Sequence, residues 1–201
     1  GAAGDGVRAG VAYLYLGRER GLPAVQSIFR SPHCSTCAPL TAPNLAGLGD
    51  TNGDGLSDVL IAYAGTDGFL PRAALILGRP QADWPNAATP VDLNTFAHAL
   101  FAAQGTQQTV SPVGDVNGDG LRDMLIGDPT PGTPRLFVVF GRRAEQPWPT
   151  PPAALDLVTG ANASFLAAGA IALPRLGAGL TPMGDLDNDG LADFAFGHPG
   201  T

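Results

Sequence analysis

The sequence predicts an all-β chain of about three four-stranded antiparallel sheets, one of them split between the termini. Three observations carry that expectation. An acidic segment occurs three times, a short apolar run bounded by Gly and Pro follows each copy, and a second apolar run ending in Gly-Arg keeps a fixed place in the period. Repeats of this length are each one supersecondary unit that buries its faces against its neighbours.

The acidic copies are GDTNGDGLSDVLIAYAG (49–65), GDVNGDGLRDMLIGDP (114–129) and GDLDNDGLADFAFGHPG (184–200), 65 and 70 residues apart. The runs behind them, 59–62, 124–126 and 194–196, are too short for helices and read as strands. The stretches APNLAGLG, QQTVSPVG and GAGLTPMG lead into the acidic segments, which therefore read as hairpin loops. The Gly-Arg runs at 12–16, 73–77 and 136–140 are apolar at every position, so they read as strands covered on both faces. Weaker fourth strands are expected near 25–30, 97–103 and 164–168, with a helix over 164–173 as the competitor. Successive repeats are expected at about 1–49, 50–114 and 115–184, with the last acidic loop at 184–201. The opening GAAG matches the AYAG, GDPT and GHPG that close the acidic segments. The expectation is three periods cut out of phase, with an earlier acidic motif removed or supplied by another chain.

Composition narrows the function. The 201 residues carry a formal net charge of −7, all 11 basic residues are Arg, and 16 of 18 acidic residues are Asp. This balance argues against nucleic acid and anionic membranes as partners. The longest nearly uncharged apolar stretch, 165–173, is about half of what a membrane helix needs, so no membrane insertion is expected.

Oxygen side chains fall at positions 1, 3, 5 and 9 of each acidic loop. They are Asp50, Asn52, Asp54 and Asp58; Asp115, Asn117, Asp119 and Asp123; and Asp185, Asp187, Asp189 and Asp193. The position-7 carbonyls of Leu56, Leu121 and Leu191 can add a further oxygen. Alternate residues of a tight loop turn toward one centre, and an oxygen-only set in a flexible loop suits Ca²⁺. No Cys or His is interleaved, so Zn²⁺ and copper fit poorly. Clustered carboxylates repel by roughly 1–4 kcal/mol per pair near a surface, which a divalent cation would remove. Ten of the 18 acidic residues lie in these loops, and about three Ca²⁺, one per loop, would bring the net charge from −7 to −1. The bland alternative, polar Asn-Gly and Asp-Gly turns, explains one loop better than three matching ones. The loops close on Asp at position 9 and are flanked by strands, unlike an EF-hand, which closes on Glu at position 12 between helices.

The pattern GD-x-[ND]-x-DG-xx-D, followed by an apolar run, a Gly-Ala-Pro-like turn and a strand such as AYLYLG or LFVVFG, resembles the FG-GAP repeat. That repeat builds the N-terminal β-propeller of integrin α subunits and of many bacterial extracellular proteins. The resemblance covers nearly the whole chain and is weakest at the turn, which reads AYAG, GDPT and GHPG. It implies blades with the acidic loop between first and second strands, structural Ca²⁺, and partners on the opposite face. Rings take four to eight blades, so three periods imply a partial propeller or one completed by another chain.

Other residues carry weaker signals. Cys34 and Cys37, in HCSTC, read as a local disulfide in an exported protein. A redox pair, a metal site with His33, or free thiols are the alternatives. His98 and His198 read as surface or packing residues. Trp84 and Trp148 lie in the matching segments DWPNAATPVDL and PWPTPPAALDL, as packing on a blade rim or as an aromatic platform for a glycan. Asn162-Ala163-Ser164 is a glycosylation sequon, and Arg142-Arg143 reads as a solvated strand end.

No nucleophile elbow, phosphate loop or HExxH occurs in the sequence. The expected function is a non-enzymatic, extracellular, calcium-stabilised propeller module for adhesion, assembly or scaffolding. Its partners would be proteins or further copies joined head to tail as a ring or filament. The alternatives are an accessory propeller of a secreted lyase, phospholipase or peptidase, or a carbohydrate-binding propeller.

Overall fold

The computed structural model describes residues 11–17, 24–30, 44–63, 72–103, 108–129, 133–166 and 179–197. Chain order gives β1 (Val11–Tyr15), β2 (Val25–Arg30), β3 (Asn44–Gly49), β4 (Asp58–Tyr63), β5 (Arg72–Ile76), β6 (Val91–Asp92) and β7 (Ala99–Ala102). It continues with β8 (Thr109–Gly114), β9 (Asp123–Asp128), β10 (Arg135–Val139), β11 (Leu155–Asp156), β12 (Ala163–Leu166), β13 (Gly179–Gly184) and β14 (Asp193–Gly197). Two single helical turns, α1 (Leu93–Phe96) and α2 (Leu157–Gly160), follow β6 and β11.

The strands form four sheets: sheet A, β1-β2-β6; sheet B, β11-β7-β5-β4-β3; sheet C, β12-β10-β9-β8; and sheet D, β13-β14. Sheets B and C each contain a complete four-stranded antiparallel meander. Sheet D holds a first and second strand, and sheet A a third and fourth. The blade expected to be split is thus two half-sheets at opposite ends of the stack. This is the architecture of a partial β-propeller.

Apolar contacts fix the stacking order. Ala12 and Phe29 of sheet A pack on Ile61, Ala74 and Ile76 of sheet B. Leu60, Ala73, Leu75 and Phe101 of sheet B pack on Met124, Ile126, Phe137 and Val139 of sheet C. Leu125, Leu136 and Val138 of sheet C meet Leu180 and Phe194 of sheet D. Alternate residues of β5 and β10 therefore serve opposite interfaces. That is why both strands are apolar at every inner position, buried from Ala73 to Ile76 and from Leu136 to Val139.

The fourth strands lie at β2, β7 and β12, and Ala163–Leu166 is a strand, not the start of a helix. A short further strand departs from the expected four per sheet. Val91 and Asp92 pair in parallel with Phe29 and Arg30, and Leu155 and Asp156 with Phe101 and Ala102. The connection between third and fourth strands thus reaches back to the outer edge of the preceding sheet. There Leu93 and Leu157 are buried, and the Asp92 and Asp156 carboxylates cap the short turns by accepting from the N–H groups of Asn94 and Val158, each at 2.8 Å.

Candidate metal centres in the three aspartate loops

Each acidic loop joins the first two strands of its sheet behind a β-bulge. The bulges fall at Gly47/Gly49, Pro112/Gly114 and Pro182/Gly184. Pro112 and Pro182 are tolerated because β8 and β13 are edge strands. At the bulge Gly49, Gly114 and Gly184 take φ values of +80°, +93° and +70°, which turns the chain into the loop at low steric cost.

The position-1 carboxylate organises the loop backbone. Asp50 Oδ1 accepts from the N–H of Gly53 at 2.6 Å and from Asn52 and Asp54 at 3.2 Å, while Oδ2 accepts from Gly55 at 2.8 Å. Asp115 accepts from Gly118 and Gly120, and Asp185 from Asp189 and Gly190. Position 5 repeats too: Asp54, Asp119 and Asp189 each accept on Oδ1 from the N–H of the Leu two residues on, at 2.8 Å. Desolvation is the largest single influence on the Asp50 carboxyl and raises it, but the four N–H donors together outweigh it and hold it below the usual carboxylate range.

The position-9 carboxylate has a second task that the sequence did not reveal. Asp58 and Asp123 are fully buried. Asp58 Oδ2 accepts from Thr51 N at 2.8 Å and from Thr51 Oγ1 at 2.5 Å, and Oδ1 accepts from Gly78 N at 2.8 Å. Asp123 repeats this with Val116 N at 2.9 Å and Gly141 N at 2.9 Å. Each carboxylate ties the start of its loop to the glycine that ends the third strand. Burial pushes the Asp123 carboxyl up to about 6, against the two N–H donors that lower it; Asp119 and Asp115 add to the rise. A divalent cation at the loop would favour its ionised form.

The third loop brings one carboxylate oxygen each from Asp185, Asp187 and Asp193 within 4.8 Å of one another. In the first two loops Asn stands at position 3. Asn52 and Asn117 accept on Oδ1 from the N–H of Asp54 and Asp119 at 3.0 Å and donate from Nδ2 to the Oδ2 of the same residues. The candidate ligand atoms at positions 1, 3, 5 and 9 are side-chain oxygens in all three loops, and in the third those of Asp185, Asp187 and Asp193 converge. That set fits a hard cation such as Ca²⁺.

Neighbouring loops are joined to one another. Arg122 N donates to Asp50 O at 2.9 Å, and Ala192 N donates to Asp115 O at 2.8 Å. Leu121 packs against Gly53 and Leu191 against Gly118. The position-7 side chains of the second and third loops thus cover the loop before them.

Trp148 is buried, edge-on to Phe101 with 5.1 Å between centroids, and the Arg142 guanidinium lies over its ring at 3.9 Å. Arg142 N also donates to Thr51 O at 2.9 Å, so Arg142 is part of the sheet B to sheet C junction. Trp84 is half-buried against Phe29, donates from Nε1 to Arg79 O at 3.0 Å and carries Arg79 at 5.0 Å. Both indoles cover the fourth-strand Phe of the preceding sheet. The backbone N–H of His98 donates to Leu75 O, and its side chain is exposed enough that only partial desolvation, with the Arg79 charge and against that of Asp58, lowers its pKa. The Asn162 Oδ1 accepts from Phe140 N at 2.9 Å. Cys34, Cys37, His33 and His198 lie outside the described residues.

No protein-family model matches the chain. In sequence it is similar to human integrin alpha-IIb, with 32% identity over 154 residues, 73% of this chain and 14% of that protein. It is 29% identical to Drosophila melanogaster integrin alpha-PS2 over 163 residues, 75% of this chain and 10% of the relative. With Gallus gallus integrin alpha-6 it shares 28% over 97 residues, 47% of this chain and 8% of the relative. The chain therefore spans about a seventh or less of the length of these relatives. Among the described residues no helix is long and apolar enough to cross a membrane.

Proposed function

We propose that this chain is a segment of an integrin-α-like, FG-GAP-type propeller that works outside the cell as a non-enzymatic adhesion or assembly module, with Ca²⁺ in each acidic loop. The ligands are the position 1, 3, 5 and 9 side chains named above with the carbonyls of Leu56, Leu121 and Leu191. Its partners are proteins, including further copies of the chain. The repeats at 1–49, 50–114 and 115–184 act as one stack.

The observation that carries this reading is the repetition of one loop geometry three times with oxygen donors alone. The similarity to integrin α chains supports it from an independent side. Chemically, a cation neutralises carboxylates that otherwise repel across a few ångströms. It stiffens loops that are bonded to each other, so binding couples to the stability of the stack.

Thermal melting in Ca²⁺ and in chelator tests the reading. Extracellular Ca²⁺ modules bind at around 10⁻⁴–10⁻³ M, so the midpoint should rise at millimolar Ca²⁺. Ca²⁺ at ten times its dissociation constant should add about 1.4 kcal/mol per site. Identical midpoints in Ca²⁺ and chelator would remove the cation from the account.

A further inference from the structure

A pocket of about 390 Å³ lies at the acidic-loop end of the two complete sheets, where sheet B meets sheet C. Asp54 of the first loop and Leu77 behind β5 stand on one side, and the segment from Arg142 to Trp148 on the other. We infer that this pocket receives the carboxylate of an aspartate or glutamate from a partner protein, held by Arg142 and Arg143. The inference rests on the propeller-module reading for a protein partner and goes beyond it in naming the chemistry of the contact.

The two repeats differ here in a telling way. In sheet B the counterpart of Arg142 is Arg79, which follows Gly78 as Arg142 follows Gly141. Arg79 lies over Trp84 at 5.0 Å and Phe96 at 4.6 Å, and donates from Nε and Nη2 to Leu77 O at 3.4 and 3.3 Å. Burial lowers its pKa, and the Asp83 carboxylate works against that. Arg142 lies over Trp148 at 3.9 Å, and among the described residues its guanidinium donates to no acceptor. It is half-buried, and burial lowers its pKa with no acid working against it. Pro147 precedes Trp148 where Asp83 precedes Trp84. The repeat keeps the stacked cation and drops its internal anion.

Arg143 adds a second cation at the place where Pro80 follows Arg79. The N–H of Gln146 donates to Arg143 O at 2.9 Å, which closes a turn in the pocket wall. The Arg143 side chain lies against Gly53 and donates to Asp119 O at 3.4 Å, a long contact that leaves most of its donors open. Two acids also line the pocket. Asp54 has both oxygens engaged in its own loop, by Leu56 N and by Asn52 Nδ2. Glu145 is exposed and is the one acid against two guanidinium groups in its segment.

A guanidinium presents paired N–H donors that match a planar carboxylate in a two-point contact. Leu77 and Pro147 offer apolar contact to the methylene stem behind it. The charge of the chain decides between one carboxylate and a polyanion. The net charge is −7 and an acidic loop borders the pocket. A sulfated glycan or a nucleic acid would meet repulsion along its length, whereas a single carboxylate can rest on the two cations.

Titration of the chain in millimolar Ca²⁺ at constant ionic strength tests this, with N-acetylglutamate N-methylamide as probe and its glutamine analogue as control. Proton–nitrogen correlation NMR reads the Arg142 Nε–H and Trp148 Nε1–H signals. Saturable shifts are expected at millimolar glutamate probe and none with the glutamine probe. Arg143→Gln changes an exposed residue, so the fold should survive by circular dichroism while affinity falls about threefold. Arg142→Gln should lower affinity about tenfold, read at Trp148. Arg79→Gln should leave it unchanged. Equal shifts with both probes, no shifts, affinity indifferent to Arg143→Gln, or the same loss in Arg79→Gln would overturn the site. A sulfated heparin disaccharide binding more tightly than the glutamate probe would overturn the choice of a protein carboxylate. A chain that ignores the probe but melts higher in Ca²⁺ defeats this inference alone. Saturable probe binding with no effect of Ca²⁺ on melting defeats the calcium reading alone.

Discussion

Gly114 and Ala192 approach so closely that a methyl group on Gly114 would lie 2.6 Å from the Ala192 Cβ. The contact sits beside the hydrogen bond from Ala192 N to Asp115 O, where the second loop hands over to the third. Gly114 also has φ +93°. Gly114→Ala therefore combines a left-handed backbone penalty of about 1–2 kcal/mol with overpacking of about 1–3 kcal/mol. Gly120→Ala, at φ +84° with nothing within 4 Å, meets the first penalty only. Urea unfolding in chelator should rank them in that order. Equal losses would mean that the loop junction yields freely.

Asp123 holds together three backbone segments of sheet C and gives a prediction independent of any cation. Asp123→Asn turns an amide N–H₂ toward an N–H donor of Val116 or Gly141, leaving a buried clash of donors. The expected loss is about 2 kcal/mol in chelator, measured by urea unfolding. Asp193→Asn should cost less under the same conditions, because Asp193 is only partly buried and accepts from Leu186 N alone among the described residues. A larger loss at Asp193 would contradict the role given to Asp123.

Trp148 packs as a lid over Phe101 and under Arg142, so Trp148→Ala should cost about 3–5 kcal/mol. Trp84 is half-buried at the corresponding place over Phe29, and Trp84→Ala should cost less. Denaturant midpoints of the two variants decide this. A negligible loss at Trp148 would return it to the role of an exposed platform.

Much of this arrangement is written in the sequence at short range. The strands β4, β9 and β14 follow from an apolar run behind each acidic loop, and β1, β5 and β10 from runs that are apolar at every position. What local pattern does not show is which residues meet across the stack. Asp58 and Asp123 read as one more oxygen of a loop, because their partners Gly78 and Gly141 come from a strand end twenty and eighteen positions away. The two-residue strands β6 and β11 have too few residues for a periodic signal. Their trace was the match between DWPNAATPVDL and PWPTPPAALDL, in which the Asp-Leu pair caps a turn and buries a leucine in the preceding interface.

The three loops differ in one chemically decisive place, and that difference gives the last prediction. The third loop has Asp187 where the others have Asn52 and Asn117, and its Asp185, Asp187 and Asp193 oxygens lie within 4.8 Å of one another. Without a cation these anions repel, so Asp187→Asn should raise the melting midpoint in chelator. With Ca²⁺ bound the same carboxylate is a charged ligand, and its loss should weaken the third site about tenfold, equivalent to about 1.4 kcal/mol. The variant should therefore be the more stable protein in chelator and the less stable one at saturating Ca²⁺. Melting curves under both conditions, with calorimetric titration of the site, read the two effects separately. A shift of the same sign in both conditions would mean that Asp187 faces no cation. Asn117→Asp should produce the opposite pair of shifts in the second loop, since it adds a carboxylate at the position that Asp187 holds in the third.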